Sequence, residues 1–182
     1  MKLLMLFVDG FEDTEAIATL DVLKRGGDIV TTVSLMNREY INPKYIKEVK
    51  VDTLVNNINK EEYDGLIIPG GPGSFKIMPL IKEVEELINY FATSNKLVAS
   101  ICAAPHLVGK LGYLKGRDFT CHPGFEDQVI GGHYLRNKGV VVSDNFITAK
   151  SMYYSIAFGL AIHEYFHGEE SKNALERALQ GE

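Results

Sequence analysis

Leu97-Val98-Ala99-Ser100-Ile101-Cys102-Ala103-Ala104-Pro105-His106-Leu107 is an apolar run of strand length that passes straight into a helical pattern. A thiol, Cys102, stands on the corner between the two. A helix start carries partial positive charge and free backbone N–H groups, so a thiol there is expected to ionise more readily than usual. The plainer reading is that Cys102 is one more small buried hydrophobe. The corner itself decides more about the fold than about the thiol. An apolar strand feeding a helix is half of a β-α-β unit, and the rest of the chain can be laid out around it.

Residues 3–8, 29–35 and 65–69 are further short apolar runs, each bounded by turn residues. Residues 13–25 lie between the first two, with Ile17, Leu20 and Leu23 at helical spacing, and stop at Gly26-Gly27. Residues 81–94 precede the quoted strand and are amphipathic at helical period. This alternation predicts an α/β chain: a mostly parallel sheet covered by helices on both faces, a three-layer sandwich. Residues 140–143 and 146–149 read as strands joined by a turn at Asp144-Asn145, and 151–167 and 171–179 as closing helices. Asn42-Pro43 marks a turn, so residues 38–54 are expected to form a small hairpin. No repeat, linker or low-complexity tract divides the chain, and residues 1–182 are read as one domain.

The 182 residues suffice for a full-sized core, and 46% apolar with 24% charged residues is ordinary for a globular protein. A net charge of −5 with no basic cluster argues against nucleic acid as a partner. The first apolar run is too short for a signal-peptide core or a membrane span, so no membrane role and a cytoplasmic location are expected. The two cysteines, Cys102 and Cys121, are expected to be free thiols.

Open α/β sheets bind ligands beyond the carboxyl ends of their strands. Four such ends carry chemistry here. The first leads into Asp9-Gly10 and the carboxylates Glu12, Asp13 and Glu15. The second ends in Pro69-Gly70-Gly71-Pro72-Gly73, the third in Cys102, and a short later strand in Thr120-Cys121-His122-Pro123-Gly124. If Cys102 is a nucleophile, the N–H groups of Ala103 and Gly71 can hold a developing oxyanion, and His122 or Glu15 can move the proton. Taken singly each is weak. The glycine loop is a turn in most proteins and lacks the Lys-Ser/Thr ending of a phosphate loop; Glu15 suits any first helical turn; His122 suits any loop. Their shared edge is what joins them.

His163-Glu164-Tyr165-Phe166-His167 has the spacing of a zinc-protease helix. His167 directly precedes Gly168, in a last helical turn where imidazoles interact favourably with the dipole, and no third ligand follows in the sequence. The expectation is therefore no metal. Cys121 and His122 are neighbours on a strand and point to opposite faces, so Cys121 is expected to be structural if His122 faces the site.

The chain resembles the ThiJ/PfpI superfamily, in the branch of the Parkinsonism-associated protein deglycase. The likeness runs through Asp9-Gly10-Phe11-Glu12-Asp13-Thr14-Glu15, Asp21-Val22-Leu23-Lys24-Arg25-Gly26-Gly27, Pro69-Gly70-Gly71, Ala99-Ser100-Ile101-Cys102-Ala103-Ala104-Pro105, Thr120-Cys121-His122-Pro123-Gly124 and Gly131-Gly132-His133-Tyr134. It implies a flavodoxin-like fold, a catalytic Cys102 with Glu15 touching it and His122 nearby, and an oxyanion hole of Gly71 and Ala103. Gly70 and Arg25 would contact substrate. Ala103 directly after Cys102, and Gly124 two residues after His122, depart from the amide-cleaving relatives, so an amidotransferase is not expected. Ser151-Met152-Tyr153-Tyr154 stands where the family often has Gly-Pro-Gly-Thr, and the family's second basic residue cannot be placed within residues 44–50. The resemblance implies a glutathione-independent glyoxalase or protein deglycase acting on a small reactive aldehyde, without cofactor, as a homodimer. The alternative is a redox-responsive sensor or chaperone whose Cys102 is oxidised to sulfinate.

Overall fold

The computed structural model describes residues 1–182. In chain order its elements are β1 (Lys2–Phe7), α1 (Asp13–Arg25), β2 (Ile29–Ser34), β3 (Tyr40–Ile41), β4 (Val49–Lys50), β5 (Thr53–Leu54), β6 (Gly65–Ile68), α2 (Pro72–Lys76), α3 (Lys82–Thr93), β7 (Leu97–Ile101), α4 (Pro105–Lys110), β8 (Asp118–Phe119), β9 (His133–Tyr134), β10 (Val140–Ser143), β11 (Phe146–Ala149) and α5 (Ser155–Gln180). Seven strands form one sheet in the order β10-β11-β7-β6-β1-β2-β5, parallel throughout except for β10 against β11.

Strand alternation explains the three layers. Leu3, Met5 and Phe7 of β1 pack on one face with Ala16 and Leu23 of α1 and Phe158 and Ile162 of α5. Leu4, Leu6 and Val8 pack on the other with Val84, Leu87, Ile88 and Phe91 of α3 and Leu107 and Val108 of α4. Because both faces are covered, the central strands read as continuous apolar runs rather than as alternating ones. Helix α1 starts where the Glu12 carboxylate accepts from the Glu15 N–H at 2.9 Å, and ends at Gly26, whose N–H returns to the Val22 carbonyl.

Three features depart from the sequence reading. The expected hairpin exists as β3–β4, but β5 leaves it and extends the main sheet beside β2. Strand β8, which precedes His122, is not in the main sheet; it pairs with β9 in a two-stranded annex. The short α2 holds too few residues for periodicity to reveal it, whereas α4 stands where the Cys102 corner leads into a helix. The two expected closing helices are both present within α5, one on each side of Gly168, whose φ of 81° and ψ of 170° are not helical and break the helix there.

Candidate functional site

Chain order reverses across β1. From β1 the chain moves to β2 on one side, then returns by way of β5 to β6 on the other. The loops after β1 and β6 therefore diverge and open a crevice at the carboxyl ends, the usual place for a ligand in such sheets. The end of β7 adjoins it.

The Cys102 backbone is held at φ 64°, the left-handed region that a side-chain-bearing residue rarely adopts. Two bonds fix it there. Its N–H donates to the Ala149 carbonyl at 2.8 Å, and its carbonyl accepts from the His122 N–H at 2.7 Å. This sharp strand-to-helix turn projects the thiol out of the sheet edge. Helix α4 begins only at Pro105 and spans six residues, so its dipole acts on the sulfur from a distance.

Glu15 sits in the first turn of α1 and is 1% exposed. Its Oε2 accepts from the Gly70 N–H at 2.9 Å, and the Gly70 carbonyl accepts from the Glu12 N–H at 3.1 Å. The loop after β6 is thereby tied to the start of α1. Gly70 separates the two reactive groups: a Cβ there would lie 2.5 Å from Glu15 Oε2 and 2.7 Å from the Cys102 Cβ. Only glycine lets carboxyl and thiol close in from either side.

Burial pushes the Glu15 carboxyl up to about 7; the Glu12 charge adds to this, and Cys102, the Gly70 N–H and Lys44 oppose it. Burial also pushes the Cys102 thiol up, as does Glu15, while the N–H groups of Ala103 and Gly71 pull it down. This corrects the expectation of a thiol acidified by a helix start. Desolvation and a neighbouring carboxylate outweigh a six-residue helix. Thiol and carboxyl act on each other's ionisation, yet Glu15 Oε1 has no partner at hydrogen-bonding geometry. Because each shifts the other, the pair titrates as a unit.

The structure thus brings Cys102, Glu15, Gly70, Gly71 and Ala103 together. It leaves two expected residues outside. The His122 backbone is bonded to Cys102, but its ring is exposed, with Nδ1 3.0 Å from the Pro123 carbonyl oxygen and no hydrogen bond to the thiol. Arg25 lies at the far end of α1, about 15 Å along the axis from Glu15 at 1.5 Å per residue, and pairs with Asp21 at 2.7 Å. A helix long enough to span the sheet separates its two ends, which short motif segments cannot reveal. Cys121 is fully buried in the core and its thiol is pushed up to about 12 by burial, as suits a structural residue.

One residue the sequence reading could not place is Lys44. Its N–H donates to the Phe11 carbonyl at 2.9 Å, and its exposed ammonium lies over the Tyr45 ring, 4.6 Å from the centroid, from where its charge pulls the Glu15 carboxyl down a little. The turn of the β3–β4 hairpin delivers it. Asp9 pairs with Arg38 and accepts from the Asn42 N–H, while Asp13 accepts from the N–H groups of Tyr45 and Ile46. The carboxylates flanking Glu15 are thus spent on anchoring this turn.

A family model described as the DJ-1/PfpI family matches residues 1–165. The chain belongs to the DJ-1/PfpI family. It is 33% identical over 179 residues to protein DJ-1 homolog B of Arabidopsis thaliana, covering 97% of this chain but 40% of that protein. It is 34% identical over 151 residues to a deglycase of Pyrococcus horikoshii, covering 82% of this chain and 90% of the relative. The crystal structure of Drosophila melanogaster DJ-1beta superposes with a TM-score of 0.91 at 28% identity, covering 98% of this chain and 97% of the other. The flavodoxin-like α/β fold is therefore shared across the family, and the seven-stranded sheet is its frame. No helix is long and apolar enough to cross a membrane.

Proposed function

We propose that the chain is a cysteine-dependent enzyme acting on small reactive carbonyls, a glyoxalase without glutathione or a protein deglycase. The carrying observation is the buried Glu15 carboxyl and the Cys102 thiol facing each other across Gly70. The family's deglycase-named members support the reading at this level.

A carboxyl poised near 7 suits general acid–base work at neutral pH. Ionised Glu15 takes the thiol proton as sulfur adds to the aldehyde carbon of methylglyoxal. The N–H groups of Gly71 and Ala103 stabilise the oxyanion until it is protonated to the hemithioacetal. Glu15 then moves the carbon-bound proton to the adjacent carbonyl unit, leaving a thioester of a 2-hydroxy acid. Water hydrolyses it, restoring the thiol and releasing lactate. The thiol need not be ionised beforehand, because its base is in place. Lys44 adds positive charge beside the developing anion. The reaction so written needs no cofactor. The reading also includes a cytoplasmic homodimer.

The test is lactate production from methylglyoxal by purified protein. Cys102→Ser is expected to lower kcat/KM by about 10³-fold or more. Unchanged turnover in that variant would overturn the reading.

A second reading follows from the unpartnered Glu15 Oε1. Protonated, it can donate to an oxygen on an oxidised Cys102 and halt oxidation by peroxide at sulfinate; one structural relative, Toxoplasma gondii DJ-1, is described as oxidized. A stable two-oxygen mass increase on Cys102, with no lactate formed, would favour sensing over turnover.

A further inference from the structure

On the edge of the sheet opposite the Cys102 crevice, a second cluster is organised around a buried carboxylate. Asp28 directly precedes β2, and its side chain is fully buried. Its Oδ2 lies 2.9 Å from His163 Nδ1, and its Oδ1 lies 2.8 Å from His167 Nε2 and 2.7 Å from the Met1 amino group. Burial alone would push this carboxyl up; the bonds from Met1, His167 and His163 outweigh it and hold the pKa below the usual range. The two imidazoles, one helical turn apart on α5, stack with centroids 4.4 Å apart. Ligand atoms of Asp28, His163 and His167 all lie within 4.8 Å of one another.

We propose that Asp28, His163 and His167 form a binding site for a divalent first-row transition cation of the zinc class. Two imidazoles and one carboxylate are a donor set suited to such ions. Zinc bonds of about 2.0–2.1 Å put neighbouring tetrahedral ligands roughly 3.3 Å apart, so the present 2.8 and 2.9 Å contacts need open by only about 0.5 Å. His163 is braced for the role. Its Nε2 lies 2.9 Å from Ser171 Oγ. With Asp28 ionised, Nδ1–H donates to the carboxylate and Nε2 accepts from Ser171. With Nδ1 on a cation, Nε2–H donates to Ser171 instead, the outer bond that metal-bound imidazoles usually make. The ring is also packed close to Gly26, where a Cβ would stand 2.6 Å from Nδ1. The side chain of His167 is 30% exposed and gives the ion an entry side, with water completing the coordination. The third ligand, absent from the sequence around the histidines, comes from 135 residues earlier in the chain.

The site is separate from the carbonyl chemistry proposed above, so its test does not depend on turnover. The probe is zinc alone, added to untagged protein that begins at Met1 and carries Cys102→Ser to remove the one accessible thiol. Calorimetry is expected to show one ion per chain, and a hundredfold excess of zinc over Kd to raise Tm by about 5–10 °C. Cobalt in place of zinc is expected to give visible d–d bands without a thiolate charge-transfer band. His167→Gln still donates to Asp28 Oδ1 but offers no imidazole, so the fold is kept while zinc affinity falls at least tenfold. No binding at millimolar zinc, or a loss below tenfold in His167→Gln, would overturn the proposal.

Discussion

Cys102 and Glu15 show how one buried proton can set both the chemistry and the stability of a protein. The Glu15 carboxyl is raised from 4.5 to about 7 because burial disfavours its charge, with the Glu12 charge adding to it. A carboxyl whose folded pKa lies above its unfolded value contributes stability fully below the unfolded value, and that contribution is lost as pH rises through the folded one. Stability is therefore expected to decline between about pH 4.5 and 7 through this group. Glu15→Gln removes the charge and keeps an acceptor for the Gly70 N–H. Denaturant unfolding at pH 8 is expected to show the variant more stable than the parent by up to about 3 kcal/mol, with the gap shrinking toward pH 5. A gap of equal size at both pH values would show that the carboxyl titrates normally. The same substitution removes the base, so stability and turnover are expected to move in opposite directions.

Helix α5 carries its own internal boundary. Residues on its first part pack on the sheet through Phe158 and Ile162, while the part beyond Gly168 reaches the edge of α1 through Leu175. The change of direction needs φ 81° and ψ 170°, a combination open almost only to glycine. Nothing stands within 4 Å of a Cβ built there, so the cost of substitution is in the backbone alone. Gly168→Ala is expected to lower unfolding free energy by about 1–3 kcal/mol, and to loosen Ser171 from His163. Urea denaturation gives the first, and the histidine proton resonances the second. Wild-type stability in the variant would mean that the bend survives without glycine. The boundary is where the sequence places the break between its two closing helices, and Gly168 supplies it.

Over the whole molecule, strand pairing and coverage decrease from the sheet centre outward. β1, β6 and β7 are paired on both sides and covered on both faces, whereas β3 and β4 hold two residues each and expose Tyr40 and Lys50. Hydrogen exchange is expected to be slowest in β1, β6 and β7 and at least about 10³-fold faster in the β3–β4 hairpin. Comparable protection in both would mean that the hairpin belongs to the cooperative core. The crevice joins these extremes. Cys102 and Gly70 extend directly from the central strands, Glu15 from a helix docked on them, and Lys44 from the small hairpin.

The layers and the main parallel strands were legible because burial on two faces writes continuous apolar runs, and helices write their own period. Cys102, Glu15 and the glycine loop were legible because strand ends in such a sheet share one edge, and the family resemblance added their order. Other features needed the tertiary structure. The raised thiol, the outward-turned His122 ring, the remote Arg25, the nearby Lys44 and the union of Asp28 with His163 and His167 each depend on desolvation or on contacts between distant segments. Residue type and local spacing specify which groups a chain can offer to one place. How much water surrounds them, and which distant charge arrives beside them, is decided only when the sheet closes and its loops converge.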